Sequence, residues 1–311
     1  KNYPNNKHFL THHYANNIGR AAVEAFKAGN DLLLIPPDLG ASYQAMIKAV
    51  LAGEIPQKRL DASVLKILKL KASVGLNEAR TVDLNAISNI VGKPENLAFG
   101  QQVADSAITV VRDNGRVMPL KAKGTGPAAL PYMSKEEIHN DVLVVLFSDD
   151  VRTDSGRAFA REFHSRIPDA RILYVDPRIA AGISDEVLKA VDAAQTVVAG
   201  VYVVPNPGKA GNLTAMGDAT GTLLQQLLDR AAQKTVVVAV GNPYLASDFP
   251  KIENYVCTFS NASVSEVAAV KALFGEIPVG GHLPVTIPNI AQRGTGMERP
   301  VAKGGPIHAQ K

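Results

Sequence analysis

The sequence predicts the α/β class, with a mostly parallel sheet covered by helices on both faces. Two observations carry this. Runs such as Val142-Leu-Val-Val-Leu-Phe147 and Val236-Val-Val-Ala-Val240 are apolar at every residue, not at alternate ones, as a strand buried on both faces must be. Such runs also alternate with stretches of helical spacing, the pattern from which parallel sheets are built. At 311 residues, 46% hydrophobic and 20% charged, the composition is that of a globular protein with length for two domains.

Taken in order, the chain opens with a helix over about Ile18–Ala28, a strand Asp31–Ile35, a helix Ala41–Ala52 and a helix Asp61–Val74. Asp61 stands as N-cap before the apolar spacing Val64, Ile67, Leu68, Leu70. Residues from Asn77 to about Pro94 are polar, weakly patterned and bounded by Gly75 and Pro94, which suits an interdomain linker. A helix over Glu95–Ser106 leads into strands Ile108–Arg112, Asp141–Phe147 and Arg171–Val175. A helix Asp185–Ala194, a strand Thr196–Val204, a helix Gly221–Gln233 and strands Lys234–Val240 and Ile252–Phe259 follow. The closing helix spaces Val264, Val267, Val270, Leu273 and Phe274 along one face, with Gly275 as C-cap and Pro278 beyond. Gly280-Gly281 then supplies positive-φ freedom for a turn into a short edge strand, Leu283–Pro288.

Charge and composition exclude several function classes. The formal net charge is +4 with pI near 9, but Lys66, Lys69 and Lys71 typify basic residues dispersed along helices. No basic cluster is interleaved with aromatics, so nucleic acid is not an expected partner. The single cysteine, Cys257, excludes an internal disulfide and a thiolate metal cage, and reads as a small buried hydrophobe. No apolar run reaches 18 residues, so no membrane span is expected. No Gly-x-Gly-x-x-Gly or phosphate loop occurs and no cofactor is expected. The first residues, Lys1-Asn-Tyr-Pro-Asn-Asn-Lys-His-Phe9, carry no hydrophobic segment, from which upstream sequence is expected to be missing.

The run Ala262-Ser-Val-Ser-Glu-Val-Ala-Ala-Val-Lys-Ala-Leu-Phe-Gly275, followed by Gly281-His-Leu-Pro-Val-Thr-Ile-Pro288, resembles the closing signature of the second domain of glycoside hydrolase family 3. Three colinear stretches resemble the same family. Ala28-Gly-Asn-Asp-Leu-Leu-Leu-Ile-Pro36 is similar to its last barrel strand. Gly53-Glu-Ile-Pro56 with Leu60-Asp-Ala-Ser-Val-Leu-Lys-Ile-Leu-Lys-Leu-Lys71 is similar to its barrel-closing helices. Ser106–Leu120 is similar to the entry of its second domain. Gly241-Asn-Pro-Tyr244 further resembles the two-domain β-N-acetylhexosaminidase branch. The resemblance implies an α/β/α sandwich preceded by the last βα units of a TIM-type barrel. Residues 1–76 would be the remnant of a catalytic (β/α)8 barrel, 77–97 a linker, 98–290 the sandwich domain and 291–311 a tail. A complete barrel takes roughly 250 residues, so such a remnant leaves a strand unpaired and an apolar face bare unless something covers it.

The implied chemistry is retaining hydrolysis by an aspartate nucleophile on a barrel loop, with a histidine paired to an aspartate as proton donor in the hexosaminidase branch. In family order both precede the strand at Asp31–Ile35, and the first acidic residue of this chain is Glu24. No catalytic residue is therefore assigned. Lys7-His8-Phe9 resembles the start of a sugar-gripping Lys-His-Phe-Pro-Gly motif, with Leu10-Thr11 in place of Pro-Gly, making Lys7 and His8 the substrate-binding candidates. His12 and His13 are adjacent and point different ways on any regular element, so no metal is expected. Three loops follow strand ends, where α/β sheets bind ligands: Ser148-Asp149-Asp150, Pro205–Asn212 and Gly241–Tyr244. The first reads as solvated carboxylates or helix N-caps before a cation or sugar-hydroxyl site, the second as a flexible loop before a cover over an active site, and the third as a tight turn before a substrate wall. Among the glutamates, Glu162, Glu186 and Glu266 read as helical, Glu136 and Glu137 precede a strand, Glu253 begins one and Glu276 follows the closing helix. None reads as an acid/base. The expected partners are a carbohydrate and the missing barrel portion, with an extracellular or periplasmic location preferred to a cytoplasmic one. The competing function is a non-catalytic carbohydrate-binding or interaction module, against which the partial barrel speaks.

Overall fold

A computed structural model describes residues 17–121, 142–148, 154–203 and 216–302. The chain divides into two compact units, residues 1–91 and 92–311, taken here one at a time.

The first unit is helical: α1 (Ile18–Lys27), α2 (Leu39–Leu51), α3 (Gln57–Ser73) and a 3-10 turn over Leu84–Asn89. Asn17 caps α1 by accepting the Arg20 N–H at 3.0 Å, and Asp38 caps α2 by accepting the Ala41 N–H at 2.8 Å. α1 and α2 approach closely because Gly19 has no side chain; a Cβ there would stand 2.7 Å from Ala45 Cβ. Val23, Phe26, Ala49 and Ile55 form the small core. Two expectations fail. α3 begins a turn earlier than expected, after Pro56, so Asp61 is no N-cap; inside the helix it accepts from Gln57 Nε2 at 2.8 Å. The stretch Asp31–Ile35 is not a strand. A strand draws its hydrogen bonds from a neighbouring strand, and the described residues of this unit contain none. Asp31 turns instead to α3, accepting from Arg59 at 2.9 Å, Ser63 at 2.7 Å and Lys66 at 2.8 Å. Leu34 and Ile35 stay 89% and 85% exposed.

The second unit holds a six-stranded sheet: β1 (Thr109–Asp113), β2 (Val142–Ser148), β3 (Arg171–Val175), β4 (Thr196–Val203), β5 (Thr235–Gly241) and β6 (Asn254–Cys257). The order is β1-β6-β5-β4-β2-β3. All neighbours are parallel except β1, which runs antiparallel to β6. The helices are α4 (Pro94–Ala107), α5 (Arg157–His164), α6 (Ala180–Ala193), α7 (Asp218–Ala231), the single turn α8 (Leu245–Asp248) and α9 (Ser263–Leu273).

Side chains alternate between two cores. Leu143, Val145, Phe147, Val197, Ala199 and Val237 face α6 and α7, meeting Val187, Val191, Leu223 and Leu227. Val144, Leu146, Val198, Val236 and Val238 face the other way, toward Phe159, Phe163, Ala268, Ala269 and Leu273 of α5 and α9. The β-branched runs are continuous because both faces are covered. Each such side chain contributes about 1.5–3 kcal/mol by burial. α4 packs on α9 through Gln101, whose amide donates to the Val264 carbonyl at 3.0 Å, and through Asp105, paired with Lys271 at 2.9 Å.

α5 lies in a stretch to which the sequence reading gives no helix bounds, although Glu162 within it reads as helical. Gly275 ends α9 with φ +67°, as expected. The Gly281 expectation needs correcting: its role is close approach, not positive φ, because a Cβ there would stand 2.6 Å from Thr109 Oγ1 and would collide with the Ile108 carbonyl. Leu283–Pro288 forms no strand either. Only isolated bridges, Val279↔Arg299 and Ile287↔Ala291, occur there, since the prolines withhold donors.

Candidate functional site

In a parallel sheet the strands' carboxyl ends carry the ligand loops, and the crevice opens where the connections reverse direction. Here that point lies between β2 and β4, with β3 beyond one and β5 beyond the other. Glu266, on the first turn of α9, stands beside it. Its side chain is buried, and its two carboxylate oxygens accept the Gly156 N–H at 2.9 Å and the Phe159 N–H at 2.8 Å. Gly156 is the N-cap of α5, with φ +86°. The negative charge thus lies at the N-termini of α5 and α9, where helix dipoles favour it.

Two tyrosines accompany it. Tyr202, from β4, is buried beside Glu266, and among the described residues its hydroxyl makes no hydrogen bond of good geometry. Burial, then the negative charge of Glu266, raises its pKa well above the ordinary phenol value. Tyr174, from β3, is half exposed and raised by burial and by Glu266, with Arg157 opposing. Chemically, Glu266 is an anchor: with both oxygens on backbone amides it ties the end of the β2–α5 connection to α9. Sequence reasoning read it only as a helical glutamate. The available signal was one acidic residue inside the apolar run Val264–Val270.

The other glutamates weighed from the sequence also hold structure. Arg166 donates from Nε and Nη2 to the two oxygens of Glu276, each at 2.6 Å, and from Nη1 to Glu162 at 3.1 Å. Glu186 pairs with Arg171 at 2.5 Å, and Glu253 accepts from Asn114 at 2.6 Å. Gly241–Tyr244 is a tight turn: Asn242 Oδ1 accepts the Tyr244 N–H at 2.9 Å, and the Pro243 carbonyl accepts from the Tyr255 hydroxyl at 2.9 Å. The Tyr244 ring reaches solvent. Lys7, His8, His12, His13, Glu136, Glu137, Asp149, Asp150 and residues 205–212 lie outside the described residues. Among the described residues, no group of three His, Cys, Asp or Glu side chains could hold a metal, and no helix is long and apolar enough to cross a membrane. Cys257 is buried in the sheet, and burial pushes its thiol up to about 12.

No family model matches the chain. It is 24% identical over 298 residues to a lysosomal β-glucosidase of Dictyostelium discoideum, covering 89% of this chain and 36% of that protein. It is 25% identical over 289 residues to a β-N-acetylglucosaminidase/β-glucosidase of Cellulomonas fimi, covering 86% and 45%. The fold is shared with a family 3 β-N-acetylglucosaminidase structure from Paenibacillus sp., with TM-score 0.56 and 20% identity over 90% of this chain and 48% of that one. A β-glucosidase structure from Listeria innocua follows at TM-score 0.53 and 14% identity, covering 90% and 39%. The chain spans less than half the length of each of these proteins. The mostly parallel six-stranded sheet with flanking helices is an α/β fold, shared with the Paenibacillus structure. Relatives and solved structures together point to glycoside hydrolase family 3, β-N-acetylglucosaminidases included, over most of this chain.

Proposed function

We propose that this chain is the C-terminal part of a retaining glycoside hydrolase that releases N-acetylglucosamine from β-linked glycans such as peptidoglycan fragments or chitin-like oligosaccharides. Residues 1–76 then close a (β/α)8 barrel whose remaining strands, nucleophile and proton donor lie outside these 311 residues. Residues 77–97 link it to the sandwich, and 291–311 form a tail. The observation that supports this most is the bare apolar face of the first unit. Leu32, Leu34, Ile35, Leu39, Tyr43 and Leu51 are exposed, as the last units of a barrel are when its other strands are not there to cover them.

Retention requires two groups about 5–5.5 Å apart, one attacking the anomeric carbon and one protonating the leaving oxygen. In the second unit Glu266 is buried, the side chain of Glu276 is nearly so, and each is bonded through both oxygens. A donor supplied by the barrel, as in the hexosaminidase branch, leaves them free for that structural work. The partners are the carbohydrate and the barrel portion of the same protein, in an extracellular or periplasmic setting. A β-glucosidase specificity is the second reading, favoured by the names of both curated relatives.

Two assays on aryl β-glycosides test the proposal. The 311-residue chain of verified mass is expected to show no turnover, whereas a protein carrying the whole barrel is expected to have the higher kcat/KM on the N-acetylglucosaminide of a pair differing only at C2. Turnover by the chain alone removes the need for outside residues. Equal or better turnover of the glucoside moves the assignment to β-glucosidase.

A further inference from the structure

The sequence contains one Asn-Gly pair, Asn114-Gly115. It lies in the turn that leaves β1, just beyond the last register pair of that strand with β6, Asp113↔Asn254. The turn is closed by the Arg116 N–H on the Asp113 carbonyl at 3.1 Å and by the Val117 N–H on Asp113 Oδ1 at 2.9 Å. A glycine after an asparagine leaves the following backbone nitrogen unshielded, since no Cβ stands beside it. That nitrogen can attack the side-chain amide. A bond forms between Gly115 N and Asn114 Cγ, the Cγ–Nδ2 bond breaks, and the amide nitrogen leaves as ammonia with the Gly115 proton. Water then opens the five-membered imide at either carbonyl, leaving aspartate or isoaspartate at 114. Nothing beyond water is consumed.

Glycine is nonetheless obligatory at 115. A Cβ there would collide with the Gln233 carbonyl oxygen and stand 3.1 Å from both side-chain heteroatoms of Asn254. The packing that requires this labile pair also restrains it. The Gly115 N–H donates to Asn254 Oδ1 at 2.8 Å. Asn254 is fully buried on β6 and fixed at its other end, where Nδ2 donates to the carbonyls of Thr235 at 2.9 Å and Gln233 at 3.1 Å. Glu253 holds Asn114 twice: the Asn114 N–H donates to its carbonyl at 3.2 Å, and Asn114 Nδ2 donates to its Oε2 at 2.6 Å.

Each bond opposes ring closure in its own way. The attacking nitrogen must give up a proton shared with a buried, fully bonded amide. The Asn114 side chain must leave Glu253 and turn back onto its own chain. The oxyanion formed at Cγ meets the Glu253 carboxylate, like charge against like. Asn114 itself is exposed, so water reaches it once these bonds are broken.

We propose that Asn114 is a deamidation site that the fold keeps closed through Glu253 and Asn254, and that it opens when β1 separates from β6. The modification is a lasting record of that opening, because a carboxylate at 114 only accepts hydrogen bonds and cannot restore the one to Glu253.

Peptide mapping with isoaspartate labelling tests this on the whole chain, held in mildly alkaline buffer with and without guanidinium chloride. The native chain is expected to convert Asn114 at least about tenfold more slowly than the denatured one, since reaction runs through the open population. Asn254→Ala frees the Gly115 N–H, and the folded variant is expected to convert at least about fivefold faster than wild type. Leu227→Ala, which weakens the same unit from α7, is expected to stay near the wild-type rate. If Asn254→Ala loses its near-ultraviolet dichroism, Glu253→Ala, which leaves the buried amide in place, is read instead, again with faster conversion expected. Native conversion at the denatured rate overturns the proposal. So does a folded Asn254 or Glu253 variant that converts no faster than wild type, because protection then comes from elsewhere. An equal rise in Leu227→Ala overturns the local opening in favour of global unfolding.

Discussion

Helices α2 and α7 have 13 and 14 residues, and each carries a stripe of large apolar side chains. In α7 the leucines at 223, 224, 227 and 228 are no more than 2% exposed, because a sheet and a neighbouring helix lie against them. In α2 the stripe Leu39, Tyr43, Ile47, Leu51 faces solvent, Leu51 at 82%, and only the small-residue face with Ser42 and Ala49 is buried. Helical pattern is common to both; a second layer is present for one. Helix stability in proteins comes chiefly from packing an amphipathic face, so the stripe of α2 contributes to stability only when something covers it.

Charge pairs repeat the contrast, and removing them should give the largest effect. Arg166 and Glu276 are at most 12% exposed and bonded through both carboxylate oxygens. Arg166→Ala strands a buried carboxylate and is expected to cost about 3–5 kcal/mol in urea unfolding of the second unit. Lys66→Ala, which removes an exposed partner of Asp31, should leave that transition where it is. Next come the apolar stripes. Leu227→Ala should cost about 2–5 kcal/mol, whereas Leu51→Ala should stay within about 0.5 kcal/mol in the same chain. Equal losses would mean that the first unit's exposed stripe is already packed in solution, and the comparison would fail.

Glu266 sharpens the reading of the site. Glu266→Gln keeps the shape but turns an acceptor into a donor facing a backbone N–H, an expected loss of about 1–3 kcal/mol. Tyr202→Phe deletes a hydroxyl that makes no well-formed hydrogen bond among the described residues and should be neutral or stabilising in the same unfolding experiment. A loss on Tyr202→Phe would place that hydroxyl in a bond of its own.

The smallest effects are those of pH, with opposite signs in the two units. Asp31 is held well below the ordinary carboxylate range, first by hydrogen bonds from Lys66, Ser63 and Arg59. A depressed carboxyl contributes stability above its unfolded value of about 3.9 and loses it as pH falls further, so helicity from the first unit should drop in acid. Cys257 is raised by burial to about 12. Its contribution is whole below the unfolded thiol value of about 8.5 and fades as pH rises beyond it, so the second unit should weaken in alkali. Circular dichroism across both ranges, with Asp31→Asn and Cys257→Ala flattening the respective limbs, checks the assignment.

Much of the second unit was legible because local pattern and tertiary context agree there: the valine runs are strands, and Gly275 ends its helix. The misses have physical causes. Asp31–Ile35 has strand composition, but a strand exists only with a partner. Asp61 is a good N-cap residue, yet the helix had already begun after Pro56. The Gly281 requirement comes from a carbonyl about 170 residues earlier in the chain, Ile108, which local reading cannot see. At the candidate site the strand ends were readable to within a residue. The role of Glu266 was not, since its partners Gly156 and Phe159 lie more than 100 residues away.

Hydrogen exchange on the intact chain tests the central contrast most directly. Amides of β5 and α7 are expected to exchange only through global unfolding, while those of α2 and α3, corrected for intrinsic rates, should exchange at least about 100-fold faster through local opening. Protection in α2 equal to that in β5 would contradict the account, because a helix with its apolar stripe in water would then be as stable as one packed on the sheet.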